Sequence, residues 1–118
     1  MAAKRYYYSD TITDFLQKED TVVIGELALA CSHDINDETM KSWLDELRVM
    51  RSALEKYKNR GSVYFEYNIP RMGRRADVIV LIDDIVFVLE FKTIRSKFTH
   101  DVVIQVWDYA GSTDIVRG

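Results

Sequence analysis

The chain has 118 residues, 47% hydrophobic and 30% charged, which suits one soluble domain with its own core and leaves no room for a second. One cysteine, Cys31, excludes an intramolecular disulfide and a cysteine-rich zinc site, so a reducing, cytoplasmic setting is expected; no apolar run approaches the roughly 18 residues of a membrane helix. With 16 Lys and Arg against 19 Asp and Glu the net charge is −3, so any grip on nucleic acid must come from a local basic cluster rather than from the whole surface.

Met1 to Tyr8 lacks the apolar centre of a signal peptide. No repeat or Gly/Ser/Pro-rich linker interrupts the chain, and residues 1–118 read as a single domain. Ser9-Asp10 can cap a short helix carrying Ile12, Phe15 and Leu16. Val22-Val23-Ile24 has strand composition, but Leu27, Ala28 and Ala30 follow in a pattern that suits a buried helix, and helix is the reading adopted. From about Glu38 to Lys58, Met40, Trp43, Leu44, Leu47, Met50, Leu54 and Tyr57 recur every three or four residues, a helical stripe facing a core. Asn36 or Asp37 can cap its start, and Gly61 stands where a left-handed terminating residue is expected.

Beyond Gly61 the runs Val63 to Ile69, Ala76 to Ile82 and Ile85 to Phe91 are short and rich in β-branched and aromatic residues, hence strands. Only Asp83-Asp84 separates the last two, as in a tight hairpin. Asp101 to Ala110, with Val102, Val103 and Val106, returns to a spacing read as helix. The expected order is helices, three strands, helix.

Glu90 and Lys92 sit two apart on the third strand and share a face, while Leu89 and Phe91 share the other. Charged residues in such an apolar strand need a reason to be there. Counting outward from the Asp83-Asp84 turn, Asp77 comes opposite Glu90. Two converging carboxylates beside an ammonium can hold Mg²⁺ or Mn²⁺, which polarises a phosphoryl group and acidifies a bound water.

Asp77, Glu90 and Lys92 resemble the signature of the PD-(D/E)XK nuclease superfamily. Ile69-Pro70-Arg71-Met72-Gly73-Arg74-Arg75-Ala76-Asp77, Val88-Leu89-Glu90-Phe91-Lys92 and Gln105-Val106-Trp107-Asp108-Tyr109-Ala110 are similar to the N-terminal nuclease-like domain of bacterial helicase-like P-loop ATPases. The resemblance implies an α/β restriction-endonuclease-like core with N-terminal helices, a three-stranded mixed or antiparallel sheet and a C-terminal helix. It implies a metal-dependent phosphodiester hydrolase acting on nucleic acid, DNA ahead of RNA, with Mg²⁺ or Mn²⁺ as cofactor. Asp77 and Glu90 would hold the metal with the Phe91 carbonyl, Lys92 would assist the attacking water, and Gln105 and Tyr109 would position substrate or lysine from the last helix. The different class that stays open is a non-catalytic nucleic-acid-binding or protein-interaction module with the same fold.

Arg71, Arg74 and Arg75 could form a merely solvated turn, but they lie beside Asp77 and guanidinium groups fork onto phosphates, so contact with nucleic-acid phosphate is the favoured reading. Superfamily members often draw a further carboxylate from an N-terminal helix; Glu26, set among apolar residues, is preferred as that metal ligand, and Glu46 is read as a solvated face. Glu66 could support the site or lie on the surface. His33 and His100 are too isolated for a zinc site. The chain carries no G-x-x-x-x-G-K-[ST], so an ATPase or helicase-like activity would belong to a partner. The closing strand is either reduced to Ile115-Val116 or missing, and the open sheet edge this leaves, with the aromatic start Tyr6-Tyr7-Tyr8, predicts a homodimer.

Overall fold

In a computed structural model, residues 5–31, 34–69, 73–83, 85–95, 100–107 and 113–117 are described, from residue 92 onward by their backbone. Strand β1 (Tyr8–Thr11) precedes helices α1 (Ile12–Gln17), α2 (Asp20–Ala30) and α3 (Asp37–Leu54), the last continued by a 3₁₀ turn, Glu55–Tyr57. Strands β2 (Gly61–Ile69), β3 (Arg74–Ile82), β4 (Ile85–Arg95), β5 (His100–Trp107) and β6 (Thr113–Arg117) follow. The sheet runs β1-β2-β3-β4-β5-β6 with every neighbouring pair antiparallel, so the fold class is α/β with a meander. No helix among the described residues is long and apolar enough to cross a membrane.

The helices form where the apolar period demanded. On α3, Trp43, Leu47, Met50 and Leu54 are all buried, and the Asn36 side chain caps the start by accepting the Thr39 N–H at 2.8 Å. Segment 20–30 is helical, with Val23 and Leu27 fully buried. These residues, with Ile12 and Phe15, cover Val63, Phe65, Val78, Val80 and Leu89 on one face of the sheet. The Arg51 guanidinium fastens α3 to the turn between α1 and α2: it donates to the carbonyls of Phe15 (2.9 Å) and Leu16 (3.4 Å), and to Asp20 at 2.7 Å. Carbonyls at the end of α1 that lack intrahelical partners are thereby satisfied.

Several expectations are corrected. The helix expected over Asp101 to Ala110 does not form at residues 101–107, which belong to β5 and pair with β4 from Val88↔Trp107 to Arg95↔His100; residues 108–110 lie outside the described residues. The spacing of Val102, Val103 and Val106 fits either period, and the β-branched run Val102-Val103-Ile104 pairs readily along the edge that β4 offers. Gln105 therefore sits on a strand, in register with Glu90 and Ile115, and Tyr109 lies outside the described residues. Of the two alternatives for the closing strand, the short one forms: Ile115-Val116 lie inside β6. Ser9 and Asp10 belong to β1, and the α1 cap is Thr11, whose side chain accepts the Asp14 N–H.

Gly61 opens β2 rather than ending α3; the left-handed residue after the helix is Asn59, at φ 64°. The hairpin between β3 and β4 is as expected, with Asp83 at φ 54° and the Arg60 guanidinium donating to its carboxylate. The expected bare edges are filled: β1 pairs with β2, and β5 with β4, which removes the reason given for a strand-edge dimer. Of the three leading tyrosines Tyr8 is buried in the core, Tyr7 packs against it, and Tyr6 rests on Tyr64 and Tyr67.

Candidate metal centre

Strict alternation sends successive strand residues to opposite faces. On β2, Val63 and Phe65 enter the helix-covered core while Tyr64 faces the other side. On β3, Val78, Val80 and Ile82 are inward and Ile79 and Leu81 outward. Between Phe65↔Val78 and Tyr67↔Ala76, at Glu66 and Asp77, both strands break this rule together. Register is kept on either side, but Glu66 adopts a left-handed φ of 56° and its side chain turns inward with that of Asp77. Beyond it Tyr67 and Ile69 face outward. A left-handed non-glycine residue costs on the order of 1–3 kcal/mol and persists where its surroundings over-determine it.

The inward pair meets Glu46 of α3. One carboxylate oxygen from each of Glu46, Glu66 and Asp77 lies within 4.8 Å of the others, in a cavity of about 200 Å³ walled also by Thr39, Ser42, Trp43, Asp45 and Phe91. Glu46 is only 5% exposed, and its Oε1 is buried with no hydrogen-bond partner. Burial, then the neighbouring Asp77, Glu66 and Asp45, pushes the Glu46 carboxyl well above the usual carboxylate range. Burial and Asp77 push Glu66 up to about 7, against the lowering effects of the Trp43 indole as hydrogen-bond donor and of Arg75. Three oxygen donors, one of them orphaned and buried, suit a hard divalent cation; without one, the cluster must keep protons.

Asp77 is fixed from the other side. Its Oδ2 accepts the Phe91 backbone N–H at 2.7 Å, beyond the last β3–β4 rung, Val78↔Leu89. On β4, Leu89 is buried and Phe91 packs on the core. Glu90 is half-buried and is not one of the three carboxylates gathered in the cavity. Phe91 contributes a cavity wall and an amide donor. Lys92 lies on β4 in register with Val103, its side chain outside what is described.

Glu26, the helix carboxylate preferred from the sequence, is exposed on α2, with Lys18 at 3.8 Å, and the carboxylate read as a solvated face, Glu46, occupies the cavity instead. The signal was present: Glu46 falls between Trp43 and Met50 at helical spacing, inside the buried stripe. Arg71 lies outside the described residues, and Arg74 is placed by its backbone at the start of β3. The Arg75 guanidinium donates to the Glu66 carbonyl at 2.9 Å and lies over the Tyr7 ring at 4.5 Å, which gives it a structural task beside the kink. Comparison of the chain with protein-family models, with curated proteins and with solved structures finds no match.

Proposed function

We propose that the protein is a PD-(D/E)XK-like hydrolase that cleaves phosphodiester bonds of nucleic acid, DNA ahead of RNA, and holds Mg²⁺ or Mn²⁺ with Glu46, Glu66 and Asp77. The observation that carries this reading is the unpartnered, buried Glu46 Oε1 aimed into a cavity shared with two other carboxylates. When bound, such a cation supplies Lewis acidity toward a phosphoryl oxygen and lowers the pKa of a coordinated water. The chain's own residues do the holding. Phe91 N–H orients Asp77, the Trp43 indole orients Glu66, and burial keeps Glu46 short of competing water partners. Lys92, one residue past Phe91, is the residue the superfamily resemblance assigns to the attacking water.

Calorimetric titration of Mn²⁺ tests the cation site: wild type should bind, and Glu46→Gln and Asp77→Asn should not. Metal-dependent cleavage of plasmid and single-stranded DNA, abolished in Lys92→Ala, tests the chemistry. That Glu90 is not among the three gathered carboxylates favours one second reading, a cation-stabilised module that binds nucleic acid or protein without hydrolysing anything. Mn²⁺ binding without cleavage would select it.

A further inference from the structure

The face of the sheet turned away from the helices carries a second concavity, of about 500 Å³, unrelated to the carboxylate cavity. Its rim is three tyrosines in mutual contact. Tyr6 and Tyr64 meet edge to face at 5.4 Å, Tyr64 and Tyr67 likewise at 5.8 Å, and Tyr6 lies nearly parallel to Tyr67 at 6.4 Å and 18°. All three are half-exposed, and the rest of the lining includes the aliphatic Ile79, Leu81, Val86 and Val88. Among the described residues, the one charged side chain lining it is a cation, Arg5, although the whole chain is net negative. The inner cavity, by contrast, is lined by Asp45, Glu46, Glu66 and Asp77. The two faces of one sheet are thus chemically opposed, and only the outer one suits an anion that carries flat apolar groups.

The platform is also held in place. The Arg5 carbonyl accepts the Asn68 N–H at 2.6 Å and the Tyr7 N–H donates to the Phe65 carbonyl at 3.1 Å, so the segment bearing Arg5 and Tyr6 is zipped along β2. Aromatic rings on a fixed backbone stack bases without loss of much side-chain freedom, and a nearby guanidinium receives the phosphate; this is how single-stranded nucleic acid is bound without sequence preference.

We propose that the outer groove is a stacking platform for single-stranded nucleic acid, with bases on Tyr6, Tyr64 and Tyr67 and a phosphate against Arg5. The inference rests on the nucleic-acid reading above for its ligand, and not on the cation cavity. Fluorescence anisotropy of a labelled oligothymidylate, titrated with the full chain in EDTA at low salt, tests it. Wild type should bind, and Tyr64→Ala with Tyr67→Ala should weaken binding about tenfold or more. Tyr64→Phe with Tyr67→Phe should stay within about twofold, since the ring face and not the hydroxyl stacks. Arg5→Glu, which changes an exposed side chain and leaves the backbone bond to Asn68 in place, should weaken binding and reduce the salt slope by about one.

Absence of binding by wild type, or unchanged binding by both the alanine pair and Arg5→Glu, overturns the proposal. So does an alanine pair that alters the mass seen by light scattering while leaving oligothymidylate binding intact, because the face would then be an interface between copies of the chain. Failure of Mn²⁺ to bind would overturn the cavity reading and leave this one standing, since the titration contains EDTA.

Discussion

The Asp77 carboxylate accepts the Phe91 N–H at 2.7 Å, so a side chain stands where the next backbone carbonyl of the β3–β4 ladder would be. Asp77→Asn keeps an acceptor oxygen for that N–H and removes the charge. Its urea unfolding midpoint should stay close to wild type while Mn²⁺ affinity falls at least about tenfold. Asp77→Ala leaves the half-buried N–H unpaired and should cost about 1–3 kcal/mol in the same urea experiment. Equal midpoints for the two variants would show that the hydrogen bond contributes nothing.

Glu46 presents the opposite trade. A carboxylate that is 5% exposed and surrounded by Asp77, Glu66 and Asp45 is tolerated in the metal-free protein only by holding a proton. Glu46→Gln should therefore raise the stability of the metal-free protein at pH 8 by about 1–2 kcal/mol and abolish the stabilisation that Mn²⁺ gives wild type. Thermal melts with EDTA and with Mn²⁺ read both effects.

Glu66 and Glu46 also set a pH dependence with a definite sign. Burial and Asp77 raise Glu66 to about 7, and burial with the same neighbour raises Glu46, whereas in the unfolded chain both return to the ordinary carboxylate value of 4.5. The folded state therefore binds more protons, and its stability from this cluster is fully present below the unfolded value and is lost as pH rises through 7. In EDTA the unfolding free energy should drop by up to about 3 kcal/mol across that window, and Glu66→Gln should flatten the drop. Saturating Mn²⁺ should flatten it too, by replacing the protons. A melting temperature independent of pH in EDTA would contradict the assignment.

At Gly61 the demand is for space. A Cβ built there would overlap the backbone carbonyl oxygen of Leu81 on the neighbouring strand. Backbone cannot retreat as a flexible side chain can, so Gly61→Ala should destabilise by about 3 kcal/mol or more, seen as a lowered denaturation midpoint.

What could be read from the sequence follows from which signals are local. The α3 stripe and the three central strands are repeated patterns of single residues, and they appear where expected. Residues 101–107 hold a pattern compatible with both periods, and the choice fell to a partner, the β4 edge, that the segment itself does not encode. Asp77 could be found because it sits next to its motif. Its convergence with Glu66 and Glu46 could not be judged, since that depends on a break in strand alternation, and the left-handed turn at Glu66 carries no residue signal such as glycine or asparagine. Glu46 was legible in principle, as a carboxylate inside an apolar stripe, and its misreading came from treating charge as proof of solvent.

The break at Glu66 and Asp77 makes the two faces of the sheet hostage to one backbone event. It sends two carboxylates inward and, in the same step, sets Tyr67 beside Tyr64 and Tyr6 on the outside. A one-residue insertion in β2, or a change that restored plain alternation there, would swap acids for rings on both sides at once. Neither the cation cavity nor the tyrosine groove is then free to drift alone: substitutions at residues 64–67 are constrained by both surfaces, and a variant library over this stretch should return the two properties lost together more often than either by itself.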